Sequence, residues 1–252
     1  MDLSLGAVVL LAAAGFVAGA LNAAAGGGSL VTFPALIAVG YSPLIANVTN
    51  NVAVFPGYVT GALGYRAGLR GQGRRILPLA LASALGGLAG VALILASSES
   101  AFEGIVPFLV LAACALLAVQ PMLGRWMGKR SGLREKPGLG AIAGMTLAGV
   151  YGGYFSAALG VAVLALLGLF FEDTLQRLNA LKATLQLVIG GAAALGFALL
   201  TPVDWTAAAI IGVTSLAGGR VGARLAQRVS DRALRGGIVL YGVLAALWLF
   251  MR

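Results

Sequence analysis

The sequence predicts an all-α polytopic membrane protein with about ten transmembrane or half-membrane helices, arranged as two inverted five-element repeats with broken helices. Of its 252 residues, 60% are hydrophobic and only 10% are charged, whereas soluble domains carry about 25% charged residues. No charged residue occurs from Leu3 to Tyr65 or from Pro137 to Phe171. One crossing of the hydrocarbon layer takes about 20 apolar residues, so these stretches are long enough to span it. Glycine-rich breaks then recur in both halves of the chain.

Ten apolar elements follow one another along the chain, separated by charged turns or by glycine and proline. They lie at 4–21, 29–39, 44–65, 76–96, 105–120, 138–150, 155–171, 178–200, 205–220 and 235–251. The first has no basic residue before it and no small-residue cleavage site after it, so we expect a retained helix rather than a signal peptide. The second would be only about 17 Å long at 1.5 Å per residue, so we expect half a helix.

The charged residues give the orientation of these elements. The turn at 97–103 carries Glu99 and Glu103, and the turn at 201–204 carries Asp204. By the positive-inside rule the acidic turns are outside and the basic clusters are cytoplasmic, which puts both termini outside. If the element at 29–39 is re-entrant rather than crossing, the N-terminus moves inside, and this alternative stays open. The three basic clusters are Arg66, Arg70, Arg74 and Arg75; Arg125, Lys129, Arg130, Arg134 and Lys136; and Arg220, Arg224, Arg228, Arg232 and Arg235.

The two halves share an outline. We assign a first transmembrane repeat to 1–120, a basic cytoplasmic loop to 121–137 and a second repeat to 138–252. Each repeat begins with a small-residue helix, breaks at glycines (26–28, then 152–153), continues with a short element and starts its next helix with polar residues. Superposing Asn47 on Asn179 places Asn50 on Lys182. Five elements per repeat would insert the second upside down, with a binding site near the midplane where the broken helices meet.

Polar and glycine positions inside the apolar stretches are the candidate substrate-binding residues. Buried amides need partners, glycine N–H groups at a helix start favour an anion, and an intramembrane lysine would supply the opposite charge. For each of these features a structural explanation stays open beside the functional one. The asparagines could cap half-helices, the glycines could permit close packing, and the lysine could extend to the cytoplasmic surface. The candidates are Asn22, Gly26, Gly27, Gly28, Ser29, Asn47, Asn50, Asn179 and Lys182.

Composition also excludes several classes of function. The chain has no histidine and a single cysteine, Cys114, which excludes disulfides, Cys/His metal sites and histidine-based catalysis. We therefore expect no enzyme, no catalytic residue, no metal and no cofactor. The net charge of +9 could suggest nucleic acid, but the basic residues cluster between apolar segments. We therefore expect the lipid bilayer, and no nucleic acid, as a partner.

The run LNAAAGGGSLVTFPAL at 21–36, followed by Ala46-Asn47-Val48-Thr49-Asn50 and by Pro56-Gly57, resembles the signature of the sulfite exporter TauE/SafE family. In the second half, the segments 152–155, 178–182 and 222–225 are similar to that family, so the resemblance covers nearly the whole chain. The sequence departs from the family at Ser156-Ala157-Ala158, where further glycines are common.

The resemblance implies a multi-pass permease of the bacterial inner membrane that moves a small anion, often an organosulfur compound such as sulfite or a short sulfonate. We expect a secondary transporter that works by alternating access. A passive anion channel and a structural membrane subunit without transport activity remain alternatives. The residues leave the anion, the direction of transport and the coupling ion open. Small-residue helix faces are equally compatible with internal packing and with a homodimer interface.

Overall fold

The computed structural model of the chain describes residues 3–24, 27–127, 137–225 and 231–251. Within these ranges all regular structure is helical, which confirms the predicted fold class. The ten helices match the predicted elements in order, and α5 differs most because it continues through 121–127, where a loop was expected. The rest of that loop, 128–136, lies outside the described residues. The helices are α1 (Leu5–Ala24), α2 (Ser29–Ala38), α3 (Pro43–Tyr65), α4 (Gly73–Ala96), α5 (Glu99–Met127), α6 (Leu139–Tyr154), α7 (Leu159–Phe170), α8 (Leu175–Leu200), α9 (Trp205–Leu225) and α10 (Asp231–Phe250), with a 3-10 turn at Arg66–Leu69.

Four helices of the described chain are long and apolar enough to cross a membrane: α1, α4, α5 and α8. By contrast, α2 has 10 residues and α7 has 12. At 1.5 Å per residue they reach about 15 and 18 Å, roughly half of a 30 Å hydrocarbon core. The prediction of short helices in both halves is therefore confirmed.

The break between α6 and α7 lies elsewhere than the sequence predicts. Gly152 and Gly153 do not interrupt the helix, since α6 continues through them to Tyr154. Their small size serves close packing instead, because a Cβ atom on Gly153 would overlap the backbone of Gly87 in α4. The chain breaks at 155–158, where Ser156 (φ 62°) and Ala158 (φ 54°) adopt left-handed conformations.

Helices α1 and α9 pack in parallel with their backbones in direct contact. A Cβ atom on Gly15 would overlap the backbone of Ile211, and one on Gly19 would overlap that of Ser215. Because both residue numbers rise together, the two helices run in the same direction. Small residues allow such an approach, so these glycines are used for packing within the chain.

Helices α4 and α6 form a second parallel pair of the same kind. Gly86 faces the backbone of Thr146, and Gly90 faces that of Val150. Suppose that the first helix of one repeat, α1, corresponds to the first helix of the other, α6, and that α4 likewise corresponds to α9. The α1–α9 pair and the α4–α6 pair would then be equivalent contacts. This correspondence is compatible with two inverted five-helix repeats.

Two antiparallel pairs join helices that would be equivalent in the two repeats. In the centre α3 packs against α8, where Gly190 contacts the Tyr58 ring, and Gly68 in the 3-10 turn that follows α3 contacts Ala180. At the side α5 packs against α10, and the Phe108 and Phe250 rings meet edge to face at 5.1 Å.

The helix directions place the N-terminal end of α1 beside the 201–204 turn. In α3, the Thr49 hydroxyl accepts a hydrogen bond from the Asp204 N–H (3.3 Å), and further along α3 the Ala53 carbonyl approaches Gly212. Helices α1, α3 and α9 are therefore parallel, so the short α2 returns the chain between α1 and α3. Exposed Arg66 and Arg70 lie at the opposite end of the bundle, which the positive-inside rule makes cytoplasmic.

The interior is built from aromatic and aliphatic side chains, and the outer surface is also apolar. Phe33, Phe102, Phe155 and Phe197 are fully buried. Large apolar side chains are exposed on α1, α4, α5, α8 and α10, an amount that a soluble protein would not leave in water. These faces are suited to contact lipid.

Candidate functional site

The start of α2 is held against α1 by a hydrogen bond across the glycine segment. The Gly28 N–H donates to Asn22 Oδ1 at 2.8 Å. A Cβ atom on Gly28 would lie 2.5 Å from the Ala18 carbonyl oxygen, so a larger residue does not fit. Gly27 is less constrained, since the nearest atom to an added Cβ would be in the Leu117 side chain at 3.2 Å. Gly26 lies outside the described residues.

The start of α7 is formed by the strained connection after α6. The Ser156 N–H donates to the Tyr151 carbonyl (3.2 Å), and the Tyr151 hydroxyl donates to the Ala157 carbonyl. These bonds hold the segment in place. They compensate for the left-handed backbone conformations of Ser156 and Ala158, which are unfavourable for residues other than glycine. Strain of this kind concentrates at functional sites. Ser156 is only 3% exposed, and its hydroxyl completes no hydrogen bond.

The two short helices begin close together. The Phe33 ring in α2 and the Phe155 ring just before α7 pack edge to face at 5.2 Å and hold the two helix starts together. Each helix start carries the positive end of the helix dipole, so their joint arrangement favours an anion.

The predicted residues of α3 form a separate polar cluster between α2, α3 and α6. Asn47 Nδ2 donates to the Tyr154 carbonyl at 2.8 Å, next to the C-terminal end of α6. Asn50 Oδ1 accepts a hydrogen bond from the Thr32 hydroxyl in α2 at 2.5 Å. Both asparagines are almost fully buried. In this conformation they tie broken helices together, the structural explanation that the sequence left open.

The structure does not bring the predicted residues of α8 together with those of α3. Asn179 Nδ2 donates to the Leu175 carbonyl of its own helix at 2.9 Å. Lys182 makes no hydrogen bond or ion pair with any residue in the described part of the chain. It precedes Gly190 by eight residues, about 12 Å along α8, while Asn50 precedes Tyr58 by the same distance along α3. Because α3 and α8 are antiparallel, Asn50 and Lys182 lie on opposite sides of the centre.

A buried ion pair joins two helix starts at the cytoplasmic end. Asp173 accepts from Arg75 at 2.7 Å and from Arg177 at 2.9 Å, and the Arg75 guanidinium also lies 5.1 Å from the centre of the Phe171 ring. Burial by itself raises the pKa of Asp173, but the hydrogen bonds from Arg177, the Thr174 N–H and Arg75 outweigh it and hold the pKa below its usual range. The turn between α7 and α8 is thereby fixed to α4.

A corresponding contact fixes the turn between α2 and α3 to the start of α9 at the other end. The Tyr41 hydroxyl donates to Asp204 Oδ2 at 2.6 Å, and the Ala207 N–H donates to Asp204 Oδ1 at 2.9 Å. Burial raises the pKa of Asp204, but these two hydrogen bonds and further lowering contributions, which include one from the Thr206 N–H, together hold the pKa below its usual range. Burial and the adjacent carboxylate raise the pKa of Tyr41.

Sequence reasoning missed Ser156, the buried residue at the break before α7. It stood out only as a departure from the glycines of the resembling family. The contact of its neighbour Phe155 with Phe33 depends on the meeting of two broken helices, which cannot be inferred from local spacing.

Comparison with known proteins gives a consistent assignment. The family model described as sulfite exporter TauE/SafE matches residues 11–249. The chain is 27% identical to a probable membrane transporter protein, ORF9, from Sinorhizobium, over 98% of this chain and 93% of the relative. It is 26% identical to a probable membrane transporter protein from Haemophilus influenzae, over 95% and 93% of the two chains.

The probable membrane transporter protein YfcA of Escherichia coli K12 is 29% identical over 88% of this chain and 82% of the relative. No solved structure matches the chain at a significant level. The match to the family model covers nearly the whole helical bundle. The chain is a multi-pass membrane protein that belongs to the sulfite exporter TauE/SafE family of membrane transporters.

Proposed function

We propose that the chain is a secondary transporter that moves a small oxyanion, sulfite or a short organosulfonate, by alternating access. The observation that carries this proposal is the meeting of the α2 and α7 starts between the two ends of the bundle, where the Phe33 and Phe155 rings are in contact. Interrupted helices that direct their N-terminal ends at one point are the usual way in which transporters hold an anion.

The predicted residues then take distinct roles in the proposal. Ser29 and the N–H groups of Gly26 and Gly27 contact the anion at the start of α2, while Gly28 donates its N–H to Asn22, which positions this segment. Asn47 and Asn50 line the outer side of the centre, while Asn179 and Lys182 line the cytoplasmic side. Lys182 supplies positive charge on that side, since it has no acidic partner among the described side chains.

Flux measurements on purified protein in liposomes test this function. We expect saturable uptake of sulfite and acceleration by sulfite loaded on the opposite side, as alternating access requires. A passive channel would give flux without saturation and without counter-transport. A structural subunit would give no flux with any anion and would copurify with a partner protein.

Binding is tested independently by thermal unfolding in detergent. A ligand that binds only the native protein raises its melting temperature by mass action. We expect sulfite or methanesulfonate to raise it and chloride at the same ionic strength to have less effect. Equal stabilisation by all three anions would contradict an oxyanion site.

A further inference from the structure

The inference concerns two polar contacts at opposite ends of the bundle, and it rests on the proposed transport function. The first, the outer contact, joins Tyr41 and Thr49 to Asp204, the residue before α9. The Tyr41 hydroxyl donates to the Asp204 carboxylate at 2.6 Å, and the Asp204 N–H donates to the Thr49 hydroxyl at 3.3 Å. Tyr41 is only 6% exposed. The turn between α2 and α3 is thereby held on α9, away from water.

The second, the inner contact, joins Asp173 and Arg177 to Gln72 and Arg75 at the start of α4. The Asp173 carboxylate pairs with Arg75 at 2.7 Å, and both side chains are almost fully buried. Gln72, the residue before α4, donates its side-chain N–H to the Arg177 carbonyl at 3.1 Å. The turn between α7 and α8 is thereby held on α4.

The two contacts occupy corresponding positions in the two halves of the chain. Tyr41 and Asp173 are 132 residues apart, and so are Gln72 and Asp204. The helices that follow them begin at the same interval, α3 and α8 at 43 and 175, and α4 and α9 at 73 and 205. Contacts that correspond in inverted repeats face opposite sides of the membrane.

Each contact fixes the far end of one short helix. Helix α2 extends from the centre to the outer contact, and α7 extends from the centre to the inner contact, while the starts of both helices meet at the Phe33 and Phe155 rings. Both contacts are formed in the same structure, so each half of the bundle is closed. Release of one contact would free the end of one short helix and open that half alone.

We propose that the outer contact and the inner contact are the two gates of the transport cycle and open in alternation. When the outer contact is broken, the end of α2 moves away from α9 and the candidate site is reached from outside. When the inner contact is broken, the end of α7 moves away from α4 and the site is reached from the cytoplasm. One contact stays formed while the other is open, since release of both would leave a continuous path for the anion.

Two matched cysteine probes report the opening of each end. Ala46 lies in the first turn of α3 and Leu178 in the first turn of α8, and they are 0% and 1% exposed. Each is replaced by cysteine in protein whose buried Cys114 is replaced by alanine. An impermeant thiol reagent is applied to intact cells for Ala46→Cys and to inside-out vesicles for Leu178→Cys. The labelling rate measures how often the adjoining contact opens.

The test weakens one contact at a time. Loss of a hydrogen bond to a charged group shifts such an equilibrium about tenfold. We therefore expect Tyr41→Phe to speed labelling of position 46 from outside about tenfold, and Asp173→Asn to speed labelling of position 178 from the cytoplasmic side by a similar factor. Neither variant should speed labelling at the opposite end, since the other contact stays formed.

Matched controls separate the gates from a general loosening of the bundle. Tyr65→Phe removes an exposed hydroxyl at the cytoplasmic end of α3, and Glu172→Gln removes the carboxylate next to Asp173 in sequence, outside the inner contact. Both should label as the parent protein does. If Leu178→Cys does not assemble, Ala183→Cys in the next turn of α8 takes its place, since Ala183 is also buried.

The outcomes distinguish the gates from the transport function. Unchanged labelling in Tyr41→Phe and Asp173→Asn, in a protein that transports sulfite with saturation, would overturn the gates alone. Faster labelling of both probes in each variant would also overturn them, because the two ends would then open together. Faster labelling of only the adjoining probe supports the gates, and if the unmodified protein then shows no flux of any anion, the proposed transport function is what fails.

Discussion

Gly28 is the position where one added methyl group has the most direct consequence for α2. The Cβ atom of Gly28→Ala would meet the Ala18 carbonyl oxygen and displace Asn22, so the Asn22–Gly28 hydrogen bond would be lost. We expect a destabilisation of about 2 kcal/mol, in the range of overpacked cores, and loss of transport. Melting temperature in detergent and sulfite flux measure the two effects.

Gly27→Ala is the matched control for this prediction. Its Cβ atom would meet side chains rather than backbone, with the flexible Leu117 nearest at 3.2 Å, so stability and the Asn22 contact should be retained. If Gly28→Ala proved as stable and as active as Gly27→Ala, the tight approach of α2 to α1 would not be a requirement of function.

Lys182 distinguishes a charge that serves the substrate from one that reaches the membrane surface. It is partly buried in α8 and forms no ion pair with the described acidic residues. If it attracts the anion, Lys182→Met should raise the half-saturation concentration for sulfite about tenfold or more. Lys182→Arg should restore affinity only in part, because the planar guanidinium has a different geometry. Unchanged kinetics in Lys182→Met would show that the lysine only extends to the cytoplasmic surface.

At the scale of helices, the glycine contacts of the parallel pairs predict a sharp contrast between positions. In Gly19→Ala the new methyl group would overlap the backbone of Ser215, which cannot move aside as a side chain can. We expect a destabilisation of about 2 kcal/mol or more. Gly61→Ala in α3 has open space around it and should be neutral or stabilising by up to about 1 kcal/mol. A similar melting temperature for both variants would contradict the close packing of α1 on α9.

The ion pair that joins α4 to the α7–α8 turn predicts a dependence on acid. The stability that the Asp173 ion pairs contribute is present above the unfolded pKa of about 3.9 and is lost as pH falls through the lower folded pKa. We therefore expect the melting temperature to fall below about pH 4, and to fall less in Asp173→Asn over the same interval. An identical pH profile in the two proteins would exclude a contribution from this carboxylate.

The two arginines of this ion pair should differ in their contribution. The Arg75 side chain is 6% exposed and the Arg177 side chain is 35% exposed. Removing the charge of a buried pair costs about 3 kcal/mol, whereas an exposed pair contributes less than about 1 kcal/mol. Arg75→Gln should therefore lower the melting temperature clearly more than Arg177→Gln. The reverse order would show that burial does not govern the energetics here.

Helix positions and lengths were predictable, whereas the use of individual glycines was not. Charge-free length and clustered charges determine where a chain can cross lipid, and these are local properties of the sequence. A glycine pair within a helix can either break it or allow another backbone to approach. Gly152 and Gly153 do the second, because α4 supplies the glycine-rich partner surface. Because α4 is distant in sequence from these glycines, the neighbouring residues do not show whether the pair breaks its helix or packs against another one.

At the scale of the whole molecule, the matched pairs α1–α9 and α4–α6 explain why only part of the candidate site could be predicted. The sequence predicts the short helix that begins at Ser29, since a broken helix can be recognised locally. It also superposed Asn50 on Lys182, but corresponding residues of inverted repeats lie on opposite sides of the midplane rather than side by side. The rings that meet at the starts of α2 and α7, Phe33 and Phe155, come from different positions in the two halves.

The direction of α1 makes the topology of the entire chain testable. Since α1 is parallel to α9, residues at the start of both helices lie at one end of the bundle, together with the 97–98 turn. The buried Cys114 is replaced by alanine, and single cysteines are introduced at Ser4, Glu99, Pro202 and Arg66. With intact cells, an impermeant thiol reagent should label positions 4, 99 and 202 from outside and position 66 only after permeabilisation.

Labelling of position 202 from outside with position 4 protected would contradict the parallel arrangement of α1 and α9. If only position 66 were labelled in intact cells, the protein would have the opposite orientation to the one that the positive-inside rule assigns.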